Sequence, residues 1–352
     1  MKLFRNFRRN LRLAADSVSK IQKLDEEVKK LSPKVKEQGG RLREIRSSTL
    51  QQENETRQLV RSTESLQLLC GKLASESLAS KPAGTPFSEI EFKVFSQWGE
   101  DGIIQHLIHH LKPAEQTFVE FGVETYTEAN TRFLLANNNW RGLILDGSDD
   151  NMNCVRQSEL YWKYDLTAVT AFITPSNINS LISGQKFGPR VGILSVDIDG
   201  MDYWVLQAIN VQADILICEY NSVFGPVAKV TVPPNDTFQR SSAHHSNLFY
   251  GMSLSAAAEI ASAKGYDLVG VNSAGNNAFF VHRSVASPFK SVTPQECFVA
   301  AKFRESRSPS GELTLLDFEA RQKEIENVEA YDLSTSAVKP LKDIWAATQS
   351  GQ

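Results

Sequence analysis

The run Thr117-Phe118-Val119-Glu120-Phe121-Gly122-Val123-Glu124 sets apolar, strand-forming residues against a glycine and flanks that glycine with two carboxylates. It predicts a buried strand over Thr117–Phe121 that stops at a tight turn. Working outward, a helical pattern covers about Glu128 to Asn138, and strand patterns cover Gly142–Leu145, Val191–Val196 and Ile215–Cys218. A further helical stretch, Tyr203–Ile209, lies between the last two. Short apolar strands alternating with helices predict an α/β sheet with parallel strands. Each strand ends on acid: Glu120 and Glu124 around the first turn, then Asp146, then the Asp197/Asp199 pair, then Glu219. In an open α/β sheet the carboxyl ends of the strands form the ligand crevice, so these acids are placed for chemistry.

Farther downstream come a helix, Leu254–Lys264, a strand, Tyr266–Val271, an Asn/Ser/Gly-rich turn at 272–276, and a strand, Asn277–His282, which together read as an antiparallel hairpin closing the sheet. From Ser284 onward prolines interrupt short helical patterns such as Leu313–Val328, and the tail reads as a helical extension that is a lid, an oligomer contact or a loosely packed appendage. Upstream, Ser75 to Pro86 has the small, polar, Pro/Gly composition of a boundary. The expected organisation is a helical stalk over 1–80, a linker over 81–89, the α/β domain over 90–285 and an extension over 286–352.

The stalk carries its own signature. With Ile21 at heptad position a, the a sites continue Val28, Val35, Leu42, Thr49, Thr56, Thr63 and Cys70, and d reads Leu24, Leu31, Gln38, Ile45, Gln52, Leu59 and Leu66. That is the seam of a coiled coil, and the chain is expected to form a homo-oligomer through it. Pro33 and Gly39-Gly40 predict a break between 32 and 40. Before the heptads, Lys2, Arg5, Arg8, Arg9 and Arg12 punctuate Leu3, Phe4, Phe7, Leu11 and Leu13 with no acid before Asp16, a basic start suited to an anionic membrane surface or an acidic protein partner.

The 352 residues are 41% apolar and 22% charged, an ordinary globular balance. A net charge of −3 offers no global basic field, which excludes nucleic acid as the expected partner. That average hides an asymmetry: residues 1–80 hold 17 Lys/Arg against 10 Asp/Glu, and the remainder 21 against 31. Cys70, Cys154, Cys218 and Cys297 are too scattered for a zinc knuckle or a disulfide framework, and no apolar run suffices to span a bilayer. A cytoplasmic protein is expected, with contact at the inner face of the membrane through the basic start as a further option.

Four segments, Ser96-Gln97-Trp98-Gly99-Glu100-Asp101-Gly102, Phe118-Val119-Glu120-Phe121-Gly122-Val123-Glu124, Asp197-Ile198-Asp199-Gly200 and Glu219-Tyr220-Asn221, taken in this order resemble the FkbM-like class of S-adenosylmethionine-dependent methyltransferases. The first strand is also similar to that of the metal-assisted, macrocin-type sugar O-methyltransferases. The resemblance covers about residues 90–285 and implies a Rossmann-like methyltransferase sheet with a terminal antiparallel hairpin, preceded here by the coiled-coil helix. It implies S-adenosylmethionine as cofactor and a carbohydrate or glycolipid precursor, as in surface polysaccharide biosynthesis, as acceptor.

The residues themselves support such a ligand. Glu120, Gly122 and Glu124 are candidates for the methionine moiety, since a glycine turn admits the cofactor and a carboxylate accepts from its ammonium group. Asp146 suits the ribose hydroxyls, and Asp165 is either an adenine contact or a helix N-cap. The first loop lacks the further glycines usual in methyltransferases, and no GxGxxG is present, which argues against a dinucleotide. Asp197, Asp199 and Asp202 crowd six positions; with Glu219, and with Asn221 able to complete the set, Asp197 and Asp199 are candidate ligands for Mg²⁺ or Mn²⁺. The alternative is a turn at Asp199-Gly200 with Asp202 capping the next helix. For the base that takes the acceptor proton, His245 or His244 is expected from the irregular stretch 233–250, with Asp197 next. That stretch also offers Asn235, Asp236, Arg240 and Tyr250 to a glycan. Two other readings remain open: a non-catalytic coiled-coil scaffold with a degenerate methyltransferase domain, and a metal-dependent enzyme that binds nucleotide sugars.

Overall fold

The computed structural model describes residues 1–285 and 287–350, and all of their side chains except those of Lys2, Leu3, Gln349 and Ser350. Ala286, Gly351 and Gln352 of the expected extension, and the side chains of Lys2 and Leu3 in the basic start, thus lie outside the described residues. The chain divides into two compact units, Met1–Leu66 and Gln67–Gln352.

Helix α1 (Lys2–Leu78) passes through Pro33 and Gly39-Gly40 without the expected break. In the heptad frame Pro33 falls at f and the glycines at e and f, away from the seam. The helix forfeits one backbone bond at Pro33 and keeps the rest. Within the first unit the seam residues Ile21, Leu24, Val28, Leu31, Val35, Leu42, Ile45 and Leu59 are all exposed. Gln67 onward belongs to the second unit, where a Cβ on Gly71 would come within 2.5 Å of Val94 and 2.7 Å of Phe133.

The second unit is built on β1 (Thr117–Phe121), β2 (Arg141–Asp146), β3 (Leu166–Thr170), β4 (Arg190–Val196), β5 (Gln212–Glu219), β6 (Val230–Thr231), β7 (Tyr266–Val271), β8 (Asn277–His282), β9 (Glu329–Asp332) and β10 (Ala337–Pro340). Its helices are α2 (Glu100–Leu111), α3 (Arg132–Asn138), α4 (Asp149–Gln157), α5 (Glu159–Lys163), α6 (Ile178–Gly184), α7 (Asp202–Ala208), α8 (Arg240–Ala243), α9 (Leu254–Ala263), α10 (Pro294–Cys297), α11 (Phe318–Ile325) and α12 (Leu341–Ser350).

Seven strands form one sheet in the order β3-β2-β1-β4-β5-β8-β7. Strands β1 to β5 pair in parallel, and β8 enters antiparallel between β5 and β7. This is an open Rossmann-like α/β sheet, with the antiparallel hairpin where the sequence puts it. Alternate side chains feed two cores: Val119, Phe121, Leu143, Leu145, Leu194 and Val196 face one, and Phe118, Ile144, Ile193 and Ile215 the other. Both faces are covered, so the strands read as continuous apolar runs instead of alternating ones. The order reverses between β1 and β4, which opens a crevice at their carboxyl ends.

The tail carries α10, α11 and α12 and adds two strands to them. Strands β9 and β10 join β6 in an antiparallel sheet, and Ile325, Ala330, Leu341 and Ile344 are buried in the main core. Among the described residues no helix is long and apolar enough to cross a membrane.

Candidate functional site

Gly122 ends β1 with φ +70°, and a Cβ there would lie 1.7 Å from the carbonyl oxygen of Asp197, at the end of β4. Only glycine lets the two strand ends meet at the switch point. Past it, Glu124 (φ +48°) and Tyr126 (φ +59°) are left-handed although neither is glycine, at about 1–2 kcal/mol each. Their partners hold them there: the Glu124 N–H donates to Asp146 Oδ2 at 2.9 Å, and the Tyr126 hydroxyl lies 2.9 Å from Thr131 Oγ1. The loop thus adopts, through hydrogen bonds, left-handed turns that further glycines would permit without strain.

Two adjoining cavities open over these strand ends. The larger, of 330 Å³, is bounded by Glu120 to Glu124, Asn130, Asp197, Asp199, Glu219 and Arg240, with Trp98, Phe303 and Glu305. The smaller, of 270 Å³, is bounded by Gly122, Glu124, Asp146, Phe172, Asp197, Asp199, Met201 and Phe238. Both volumes are at or near the small-molecule range. Gly122, Glu124, Asp197 and Asp199 belong to both, so they form the partition.

The acids divide into structural and accessible ones. Glu120 sits inside β1, where its carboxylate accepts from the Asn130 and Thr131 amides and the Thr131 hydroxyl; burial pushes its pKa up to about 7. Asp202 accepts from the Ile198 and Gly200 amides, both at 2.9 Å, and fixes the turn; burial raises it to about 6. Asn221 is spent on the backbone, donating to the Leu248 and Tyr250 carbonyls and accepting from the Val223 amide, so it does not join the acids. Asp197, Asp199 and Glu219 each bring one oxygen to within 4.8 Å of the others. Burial first, and the neighbouring carboxylates second, push Asp197 and Glu219 well above the usual carboxylate range. Arg240 Nη1 donates to Asp199 Oδ1 at 2.7 Å, bringing positive charge to one edge of the cluster. Asp146 ends β2, its Oδ1 accepting from the Ser148 amide and Asn151 Nδ2, and its Oδ2 from Glu124.

Three expected site residues are elsewhere. Asp165 precedes β3, at the amino edge of a parallel sheet whose crevice is at the other edge, and it is exposed 3.7 Å from Arg141. His244 and His245 line neither cavity: His244 Nδ1 lies 2.7 Å from Ser246 Oγ, and His245 Nε2 lies 3.0 Å from Glu324. Among the residues lining the cavities, sequence reasoning missed Phe172, just past the third strand, and Phe238. It also missed Phe303 and Glu305, which the tail brings back; Phe303 stacks on Trp98 with centroids 6.0 Å apart. Phe172 is recognisable only once β3 is placed. The motif acids Glu100 and Asp101 are buried braces, Glu100 accepting from Asn272 and Asn277 and Asp101 from Val94, Phe95 and Ser96.

No family model matches the chain, and no curated protein does either. Among solved structures it is similar to the N-terminal domain of EvdMO1 with SAH bound, at 10% identity and a TM-score of 0.35, over 60% of this chain and 93% of that one. It is also similar to an S-adenosylmethionine-dependent methyltransferase from Clostridium acetobutylicum ATCC 824, at 9% identity and 0.34, over 52% of this chain and 90% of that one. A third is an O-methyltransferase from Bacillus cereus in complex with SAH, at 15% identity and 0.31, over 47% of this chain and 72% of that one. Likeness at this level transfers no substrate.

Proposed function

We propose that the chain is an S-adenosylmethionine-dependent O-methyltransferase acting on a carbohydrate or glycolipid precursor. The observation that carries the reading is the pair of cavities at the switch point, divided by Gly122, Glu124, Asp197 and Asp199. The smaller fits a nucleoside: Asp146 stands at the end of the second strand and Phe172, about half exposed, offers a ring face for a base. A carboxylate accepts about four hydrogen bonds, and three donors of this chain already reach Asp146, so it keeps room for one ribose hydroxyl and not for both. The sulfonium methyl group is what the cofactor supplies when bound.

The larger cavity, lined by carboxylates and by Trp98, suits a polyol acceptor. Methyl transfer forms an oxygen–carbon bond as the sulfur–carbon bond breaks, and the acceptor's proton must leave. In place of the histidines, Asp197 is the proposed base, since it lines both cavities at the partition between them. The oxygen-only set Asp197, Asp199 and Glu219 fits Mg²⁺ or Mn²⁺, which would orient the acceptor and lower its pKa.

Calorimetry with S-adenosylhomocysteine tests the reading. Micromolar binding that Asp146→Ala weakens at least tenfold is expected. No heat from a folded protein would leave the scaffold or a nucleotide-sugar enzyme in its place. The acceptor is sought by mass analysis of glycans from cells with and without the protein, looking for the loss of one methyl increment.

A further inference from the structure

The first eighteen residues form a surface unlike the rest of the stalk. On α1, Phe4, Phe7, Leu11 and Val18 are exposed at spacings of three, four and seven, which puts them along one face of a 3.6-residue helix. Arg5, Arg8, Arg9 and Arg12 line the adjoining face, and no acid occurs before Asp16. From Asp16 on, acids and bases alternate: Asp25 pairs with Lys29 and Glu37 with Arg41 within the helix. A second copy of this chain, aligned in parallel, would cover the a and d seam from Ile21 on. Carried back over residues 4–13, the same register puts Arg5 and Arg12 at f, Arg8 at b and Arg9 at c, so a second copy would leave all four uncovered on the outer face with no carboxylate before Asp16. The charge therefore calls for an anionic occupant, and the phenylalanines beside it call for an apolar one.

We propose that residues 4–18 lie in the surface of an anionic lipid bilayer. The arginines sit at headgroup level, and Phe4, Phe7 and Leu11 enter the acyl boundary. Aromatic and aliphatic side chains on one face with arginines beside them are what interfacial insertion uses, as distinct from spanning. Each arginine near a charged leaflet is worth about fivefold in binding.

The test is co-sedimentation of the full chain with vesicles of phosphatidylcholine alone or with phosphatidylglycerol added. Binding to the anionic vesicles is expected, falling steeply with salt. Arg8→Gln with Arg9→Gln should weaken it about 25-fold. Phe4→Ser with Phe7→Ser should weaken it at least about tenfold, since two buried rings are lost. These side chains are exposed, so circular dichroism should show an unchanged fold. The proposal is overturned by equal binding to both vesicle types, or by anionic binding that persists undiminished in the phenylalanine variant. It is equally overturned if that variant leaves lipid binding intact and changes the oligomeric state on light scattering, which would assign the face to a second copy.

Discussion

Asp101 shows how one side chain can carry both a brace and a proton. Its Oδ2 accepts from the Val94, Phe95 and Ser96 amides and from the Ser96 hydroxyl, whereas buried Oδ1 has no hydrogen-bond partner. Burial raises its pKa from 3.8 to about 6 against the pull of those donors. An acid raised in the folded state keeps its proton longer there than in the unfolded chain. Stability is therefore fullest below about pH 4 and is lost as pH rises toward 6. Asp101→Asn puts one amide oxygen where the donors converge and an NH₂ where Oδ1 is idle. Urea unfolding of both proteins between pH 4 and 7 should show wild type losing up to about 3 kcal/mol relative to the variant. Parallel pH curves would contradict the assignment. Sequence marked this acid as part of the Ser96–Gly102 segment, and nothing local told that the chain folds back on it five residues upstream.

At the scale of elements, the two ends of the chain are where sequence and structure part most. Strand β6 has two residues and β9 four, too few for periodicity to register, so the small sheet was illegible although its partners pack into the main core. Leu341 and Ile325 are fully buried, and Leu341→Ala or Ile325→Ala should cost about 2–5 kcal/mol, read by thermal unfolding. A cost below 1 kcal/mol would return the tail to the status of a loose appendage. The stalk is the opposite case. Its heptads were plain, yet seven apolar a and d residues between Ile21 and Ile45 stay exposed in the single chain. Each is worth about 1.5–3 kcal/mol if covered. Light scattering should accordingly find the full chain oligomeric and residues 67–352 alone monomeric; an unchanged oligomer would locate the contact in the globular unit.

For the molecule as a whole, four of the five parallel strands and the acids at the carboxyl edge were legible because buried parallel strands are continuous apolar runs ending at a functional rim, whereas the half-buried β3 was not. Asp165 and the histidine pair were misplaced because sequence gives the order of residues but not which rim a loop reaches. The same rim raises the question of what balances its charge. Asp197, Asp199 and Glu219 face one another with Arg240 on one edge, so either a proton stays on the Asp197–Glu219 pair or a cation joins them. With a cation, Mg²⁺ or Mn²⁺ at a hundred times its dissociation constant should stabilise the fold by about 2.7 kcal/mol, and EDTA should reverse it. Because the carboxylates must be ionised to bind metal, the gain should shrink on acidification. Asp199→Asn, which removes one ligand and leaves Asp197 and Glu219, should weaken the metal response more than the binding of S-adenosylhomocysteine. If the midpoint ignores both metals at neutral pH and methyl transfer proceeds unchanged in EDTA, then Arg240 and one retained proton balance the site, and Asp197 acts without a metal beside it.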